Sequence, residues 1–559
     1  MHDLVIKNAL VFDGSKAPGR HAAVAVARGR IAAIGADVGA GRRVIDADGL
    51  ALAPGIIDTH THYDAQITWD GGVHPSPELG VSTVVIGNCG FTIAPCRAEH
   101  RDLTLRNLTH VEGMSLEVLR SGIRWEFETF PQYLDVIERS GSVPNVAAFI
   151  GHSSLRVWVM GRAATERAAS AAEIDAMRRL LCEALDRGAV GFATSTAPQH
   201  NGEGGTPMPS RLADESELRA LVGVLGDAGR GVFMLTKGMS TPVTFLESLA
   251  AASGRPVVIA ALLHNPVLPE ASFNDLRAIG AAQARGRRLY GQVSCCALTN
   301  EFTLRSPYPF EGMAAWLPAM QAEGDALKRV YADPAFRRRV SAELATPAAI
   351  RLFNGEWDKL RLLAAARPEN RRHEGRSVAE LAAASGQSPL DWLLDFSLAE
   401  DLDTLFIATL LNSDEEAVGR MLRDPYASIA LSDAGAHLTF FCDAGFGLHL
   451  LGHWVRERGV LTMEEAVWQL SGRPAEIFGI RDRGRIAPGL AADLLLFDPA
   501  AVGRGPSRRV FDLPGGAPRL TTPALGVHGL WINGTQVADA TGLIAEEERP
   551  GRLLRDFAG

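Results

Sequence analysis

Apolar residues along this chain gather in short runs, and most runs end in a cluster of polar or glycine positions. The first is "LALAPGIIDTHTH" (50–62), followed by "VSTVVIGNCG" (81–90), "NVAAFIGHSS" (145–154) and "AVGFATST" (189–196). "GVFMLTKG" (231–238), "PVVIAALLHN" (256–265), "RLYGQVSCC" (288–296) and "SIALSDAGAH" (428–437) bring the set to eight. Runs this apolar suit strands buried on both faces of a parallel sheet. Stretches with helical periodicity separate several of them, such as "AAEIDAMRRLLCEALDRG" (171–188) and "DESELRALVGVLGDAGRG" (214–231). Strand-then-helix alternation at this length predicts an α/β fold, a (β/α)8 TIM barrel.

The ends of the chain have another rhythm. Residues 1–53 and 484–540 alternate apolar and polar positions between turns such as "DGSKAPG", which predicts antiparallel strands. One small β-sandwich built from both termini is the economical arrangement. The predicted division is 1–53 for its N-terminal part, 54–480 for the barrel, and 481–559 for its C-terminal part and tail. Two connections exceed simple loops, 91–144 and 297–427, and the second reads as a helical insertion, a subdomain or lid.

Composition narrows the function more than the fold. The chain has 559 residues, 47% hydrophobic and 22% charged, with a formal net charge of -9. A negative balance argues against nucleic acid as the partner, since phosphate binding needs concentrated positive charge. No run of about 18 uninterrupted apolar residues predicts a membrane span. The N-terminus lacks the pattern of a signal peptide. Six cysteines are too few for a disulfide framework at this length, so reduced thiols in the cytoplasm are expected. A homo-oligomer stays open, because the sequence does not set the oligomeric state.

The polar ends of the apolar runs carry the candidate chemistry. His60 and His62 stand two residues apart at the end of the first run, where i and i+2 face the same way. In this fold that end is the barrel mouth, where active sites lie. Paired imidazoles suit a divalent metal such as Zn2+. Cys89 ends the second run beside Gly90, His264 the sixth and Asp433 the eighth. A buried inert cysteine, a satisfied core histidine and a turn or helix-cap aspartate are the structural alternatives, each reasonable alone. Their convergence on four strand ends favours a metal site, with Asp433 able to bind metal and to take a proton from water.

"APGIIDTHTHYD", "GNCG", "LSDAGAH" and "RGRIAPGLAADLLLFD" together resemble the amidohydrolase superfamily, and within it the N-acyl-D-amino-acid deacylase (D-aminoacylase) group. "GHSSLRVWVMG" (151–161) and "DLPGGAPRL" extend the resemblance to nearly the whole chain. It implies a metal-dependent hydrolase that cleaves the amide of an N-acyl-D-amino acid, or a similar N-acylated small molecule, by attack of metal-activated water. It further implies one or two divalent ions, with His60 and His62 on one metal and Cys89 ligating or bridging. His264 would be the strand-six ligand and Asp433 the general base. Hydrolysis of a cyclic amide, metal-assisted decarboxylation and a non-catalytic scaffold of the same fold are the alternatives.

Two departures from the group bear on specificity. Its strand-five histidine and the arginine two residues on are absent, and Thr236 and Lys237 stand there instead. The lysine that follows the strand-six histidine is also absent, with Asn265 and Pro266 in its place. Lys237 then has three readings: an ammonium that pairs with a substrate carboxylate, a carboxylated metal ligand, or a lysine reaching solvent. Arg156 is a second candidate for the carboxylate, able to clamp it bidentately. His152, His200 and His437 are further candidates for substrate contact.

Overall fold

The computed structural model describes residues 1–558 apart from 112, 203–204, 311, 349–350, 438–442 and 545–546, and the side chains at 110 and 111 are left aside. Eight strands lie side by side in the order of the chain: Ile56–Asp58, Val81–Ile86, Asn145–Gly151, Gly191–Ser195, Val232–Thr236, Val257–Leu262, Leu289–Val293 and Ala427–Ile429. All their pairings are parallel. They fall on the eight predicted runs, in a TIM barrel. Nearly every residue in them is buried, because helices cover the outside and side chains fill the inside.

The seam between strands one and eight closes above the strands themselves. Thr61 bridges Ala434 in parallel. The His62 N–H donates to the Ala434 carbonyl at 2.7 Å, and the Ser432 hydroxyl donates to the His60 carbonyl at 3.2 Å. Gly435 is needed there: its φ is +95°, and a Cβ would sit 2.6 Å from the His62 carbonyl carbon. The two segments that carry His60, His62 and Asp433 therefore form the closure.

Both termini meet in one nine-stranded sheet. Ala51–Pro54 runs antiparallel to Leu494–Phe497, which continues through Val527–Ile532 and Thr535–Asp539. The sheet is mixed rather than wholly antiparallel, because Gly41–Asp46 and Ala51–Pro54 both pair parallel to His2–Val11. Side-chain alternation is the same in either direction, so the pattern of residues 1–53 does not distinguish them. Leu4, Ile6, Val24, Leu52, Leu494 and Trp531 fill a core of its own.

The first long connection supplies the helices Arg101–Val111, Leu116–Gly122 and Phe130–Ser140. The second differs from the expected helical insertion. Thr299–Phe302, Leu405–Thr409 and Leu360–Ala364 form a three-stranded antiparallel sheet among its helices. These strands are only four or five residues long, too short for a periodicity of their own against neighbouring helical patterns. Phe310, Trp316, Phe353, Leu393 and Phe406 give this unit a separate apolar core. No described helix is long and apolar enough to cross a membrane.

Candidate metal centre

Just past strand one, the His60 and His62 rings lie 5.3 Å apart, nearly edge to face. Strand two ends in a turn with φ of 85° at Gly87, 56° at Cys89 and 77° at Gly90. A Cβ on Gly90 would lie 2.6 Å from the Ala193 carbonyl oxygen, so glycine lets this turn pack against strand four. The turn aims Cys89 at the histidines, with Sγ 3.6 Å from His60 Nε2. Donor atoms of His60, His62 and Cys89 all fall within 4.8 Å of one another, and all three residues are buried. Among the described residues this is the one such group of three or more.

Asp433 faces the group from strand eight. Its Oδ1 is 3.3 Å from His60 Nε2 and 3.5 Å from His62 Nε2. The imidazoles are almost inaccessible, while the Asp433 side chain is 27% exposed, so the carboxylate stands between the buried group and solvent. Its φ of 46° and that of Leu431, 71°, are left-handed conformations that cost a non-glycine residue roughly 1–3 kcal/mol each. Burial raises the Asp433 carboxyl pKa. The His62 hydrogen bond and the charges of His60, His62 and His437 outweigh it and hold the group well below the usual carboxylate range. Burial likewise raises the Cys89 thiol, and the neighbouring His60 brings it down to about 7. Beneath the site, burial pushes the Asp58 carboxyl up to about 7, against hydrogen bonds from Ser432 and the His60 N–H.

The chemistry of the donor set fits a divalent metal. Gln292 on strand seven donates its Nε2 to Thr59 Oγ1 at 3.2 Å, which leaves its Oε1 to accept from His60 Nδ1 at 2.8 Å. A proton on Nδ1 puts the His60 lone pair on Nε2, facing Cys89 and Asp433. This is the outer partner that metal-binding histidines ordinarily have. Gln292→Leu should therefore weaken metal affinity by about 10–100-fold with the fold retained, read by competition against a chelating dye. Unchanged affinity would remove Gln292 from this role.

The other sequence candidates divide. His200 does approach the site. It packs edge-on against Phe91, ring centroids 5.1 Å apart, and its Nδ1 is 2.6 Å from Ser195 Oγ. Burial, then the charges of His437 and His62, bring its pKa down to about 3, so it is a neutral imidazole. His437 lies close enough to act on both His200 and Asp433, and its φ of 56° follows the turn after strand eight.

His264, Lys237, Arg156 and His152 are placed elsewhere. His264 is outside the metal-ligating group. Asn412 of the second insertion clamps its backbone, accepting from the His264 N–H at 2.7 Å and donating its own N–H to the His264 carbonyl at 2.9 Å. Lys237 Nζ turns outward to Asp275, at 2.8 and 2.7 Å from the two carboxylate oxygens. In this structure Lys237 is engaged by that carboxylate and is outside the metal-ligating group. Arg156 and His152 share Glu217, at 2.5 and 2.8 Å, and all three are buried. His152 also meets Thr194 Oγ1 at 2.7 Å, and Arg156 donates to the Arg167 carbonyl at 2.7 Å. They form a buried ion-pair network between the helices His152–Met160 and Glu215–Ala228.

Sequence reasoning missed Arg211, on the loop after strand four. It is half-buried, and among the described residues no carboxylate pairs with it. It donates to the His200 carbonyl at 3.1 Å and to Asn201. Burial alone lowers its pKa. Its signal was a single arginine in "PSRLAD", which has no pattern.

The amidohydrolase family matches residues 43–284 and 346–538. A D-aminoacylase from Alcaligenes xylosoxydans xylosoxydans is 30% identical over 96% of this chain and 94% of its own length. The chain is similar to a D-aminoacylase crystal structure studied for its binuclear metal centre, with TM-score 0.68, 26% identity and full coverage of both chains. It is also similar to an N-acyl-D-glutamate deacylase from Bordetella bronchiseptica, complexed with zinc and a phosphonate that mimics the tetrahedral intermediate. There the TM-score is 0.66 at 26% identity, covering 99% of this chain and 100% of that one.

Proposed function

The chain belongs to the amidohydrolase family, and from that premise we propose that it is a metal-dependent hydrolase of N-acyl-D-amino acids. The observation that carries the reading is the buried His60–His62–Cys89 group with the Asp433 carboxylate across it. His60, His62 and Cys89 would hold a zinc ion, with Asp433 as a further ligand on the solvent side. A divalent metal held there supplies Lewis acidity, polarising the acyl carbonyl and acidifying a water.

The protein's own groups do the rest. Asp433 is ionised and partly exposed, so it can take a proton from the attacking water and later return it to the departing amide nitrogen. The C–N bond breaks as that nitrogen is protonated, releasing a carboxylic acid and a free amino acid. His200, neutral and tied to Ser195 through Nδ1, would hydrogen-bond substrate through Nε2. Arg211 is the cation for the amino-acid carboxylate, since the Lys237 and Arg156 cations are already neutralised. The five described cysteines are free, which suits a small-molecule enzyme of a reducing cytoplasm.

Incubation of the zinc-loaded protein with paired N-acetyl-D- and N-acetyl-L-amino acids should release primary amine from the D series. The absence of amine from both series, with metal bound, would sink this function.

A further inference from the structure

Strand five carries no imidazole or carboxylate, yet its last residue reaches the candidate centre. We infer that the Thr236 hydroxyl donates a hydrogen bond to the Cys89 thiolate, fixing the sulfur and setting how much electron density it gives to a bound metal. The inference rests on the metal site proposed above and makes Thr236 a positioning residue of that site.

Cys89 Sγ is contacted from two sides. His60 Nε2 lies 3.6 Å away and Thr236 Oγ1 3.0 Å away. Both Cys89 and Thr236 are buried, so bulk water competes little for either. Between a thiol and a hydroxyl, either atom could be the donor. A cysteine that ligates zinc is a thiolate and has no proton to give. In the loaded site the hydroxyl is therefore the donor, and hydrogen bonds to an ionised acceptor are the stronger kind.

The strand holds this hydroxyl in place. The Thr236 carbonyl accepts from the Thr196 N–H at 3.0 Å, and the Lys237 N–H donates to the Ala260 carbonyl at 2.8 Å. Strands four and six thus lock the backbone on either side. Lys237 is drawn away to Asp275, and alternation along the strand turns Thr236 the other way. Threonine is β-branched and stiff at χ1, so Oγ1 has few directions open to it. On strand four the hydroxyls serve histidines instead, Thr194 meeting His152 at 2.7 Å and Ser195 meeting His200 at 2.6 Å.

A proton shared with the sulfur draws electron density from it. The thiolate then neutralises less of a bound ion's charge, which leaves more Lewis acidity at the site.

Absorption of the cobalt-loaded protein tests this apart from turnover. Wild-type protein should show a sulfur-to-cobalt charge-transfer band. Thr236→Val keeps the shape of the side chain and removes the hydroxyl. Its band should move to longer wavelength, because sulfur lone pairs that have lost the hydrogen bond are easier to excite. Thr236→Ser restores the hydroxyl and should bring the band back. In the zinc-loaded enzyme, Thr236→Val should lower kcat by about 10–100-fold at equal metal content, the usual worth of an outer partner, and Thr236→Ser should recover most of it. A band unshifted in Thr236→Val, or shifted equally in both variants, would overturn the hydrogen bond and leave the metal site standing. Unchanged kcat in Thr236→Val would overturn its effect on reactivity. A wild-type cobalt protein without any sulfur-to-cobalt band would remove Cys89 from the ligand set, and the inference with it.

Discussion

Asp433→Asn should leave a folded, metal-loaded protein whose kcat has fallen by about 10²–10⁴-fold, the range that a positioned general acid–base group supplies. The substitution keeps the size and shape of the side chain and removes its charge and its basicity. Asparagine tolerates a positive φ as readily as aspartate, so the 46° backbone at this position survives. The amide oxygen can still face His60 and His62. It cannot accept a proton from water at neutral pH, and so cannot deliver one to the leaving nitrogen. Metal content and the thermal transition separate this loss from misfolding. Turnover within a factor of a few of wild type, at equal zinc, would remove Asp433 from the proton path.

Arg211→Met should cost about 2–5 kcal/mol in kcat/KM for substrates with a free carboxylate, the usual loss when one partner of a desolvated charge pair is truncated. That is roughly 30- to several-thousand-fold. A primary-amide analogue of the same N-acyl amino acid should be affected little. The contrast matters because Arg211 also holds the His200 carbonyl. Were that its whole role, both substrates would suffer alike, and the assignment to the carboxylate would be withdrawn. Lys237→Met is the natural comparison. It breaks the ion pair with Asp275, and it should not discriminate between the two substrates.

Residues whose meaning is local were legible in the sequence. Eight buried strands announce themselves as apolar runs, since each must be apolar on both faces. His60, His62 and Cys89 stand at the ends of such runs, and the fold brings those ends together whatever the details of packing. What the sequence could not show were partners distant in the chain. Arg156 and His152 look like free polar groups at a strand end, but Glu217 lies 61 and 65 residues further on. Their i, i+4 spacing on one helix face was the available hint that a single group could satisfy both. Lys237 was legible in part: neighbours on a strand point to opposite sides. Thr236 and Lys237 could not both face the mouth, and which one did was decided by Asp275, on a helix that follows the next strand.

The seam that joins Thr61 to Ala434 sets the order in which this protein can become active. The two residues are 373 positions apart (434 − 61). At translation rates of about 5–20 residues per second, the ribosome takes on the order of 20–75 s to cover that distance. Through that interval His60, His62 and Cys89 already exist, but the segment that closes over them and supplies Asp433 does not. Chains cut short of Asp433 therefore lack the finished centre.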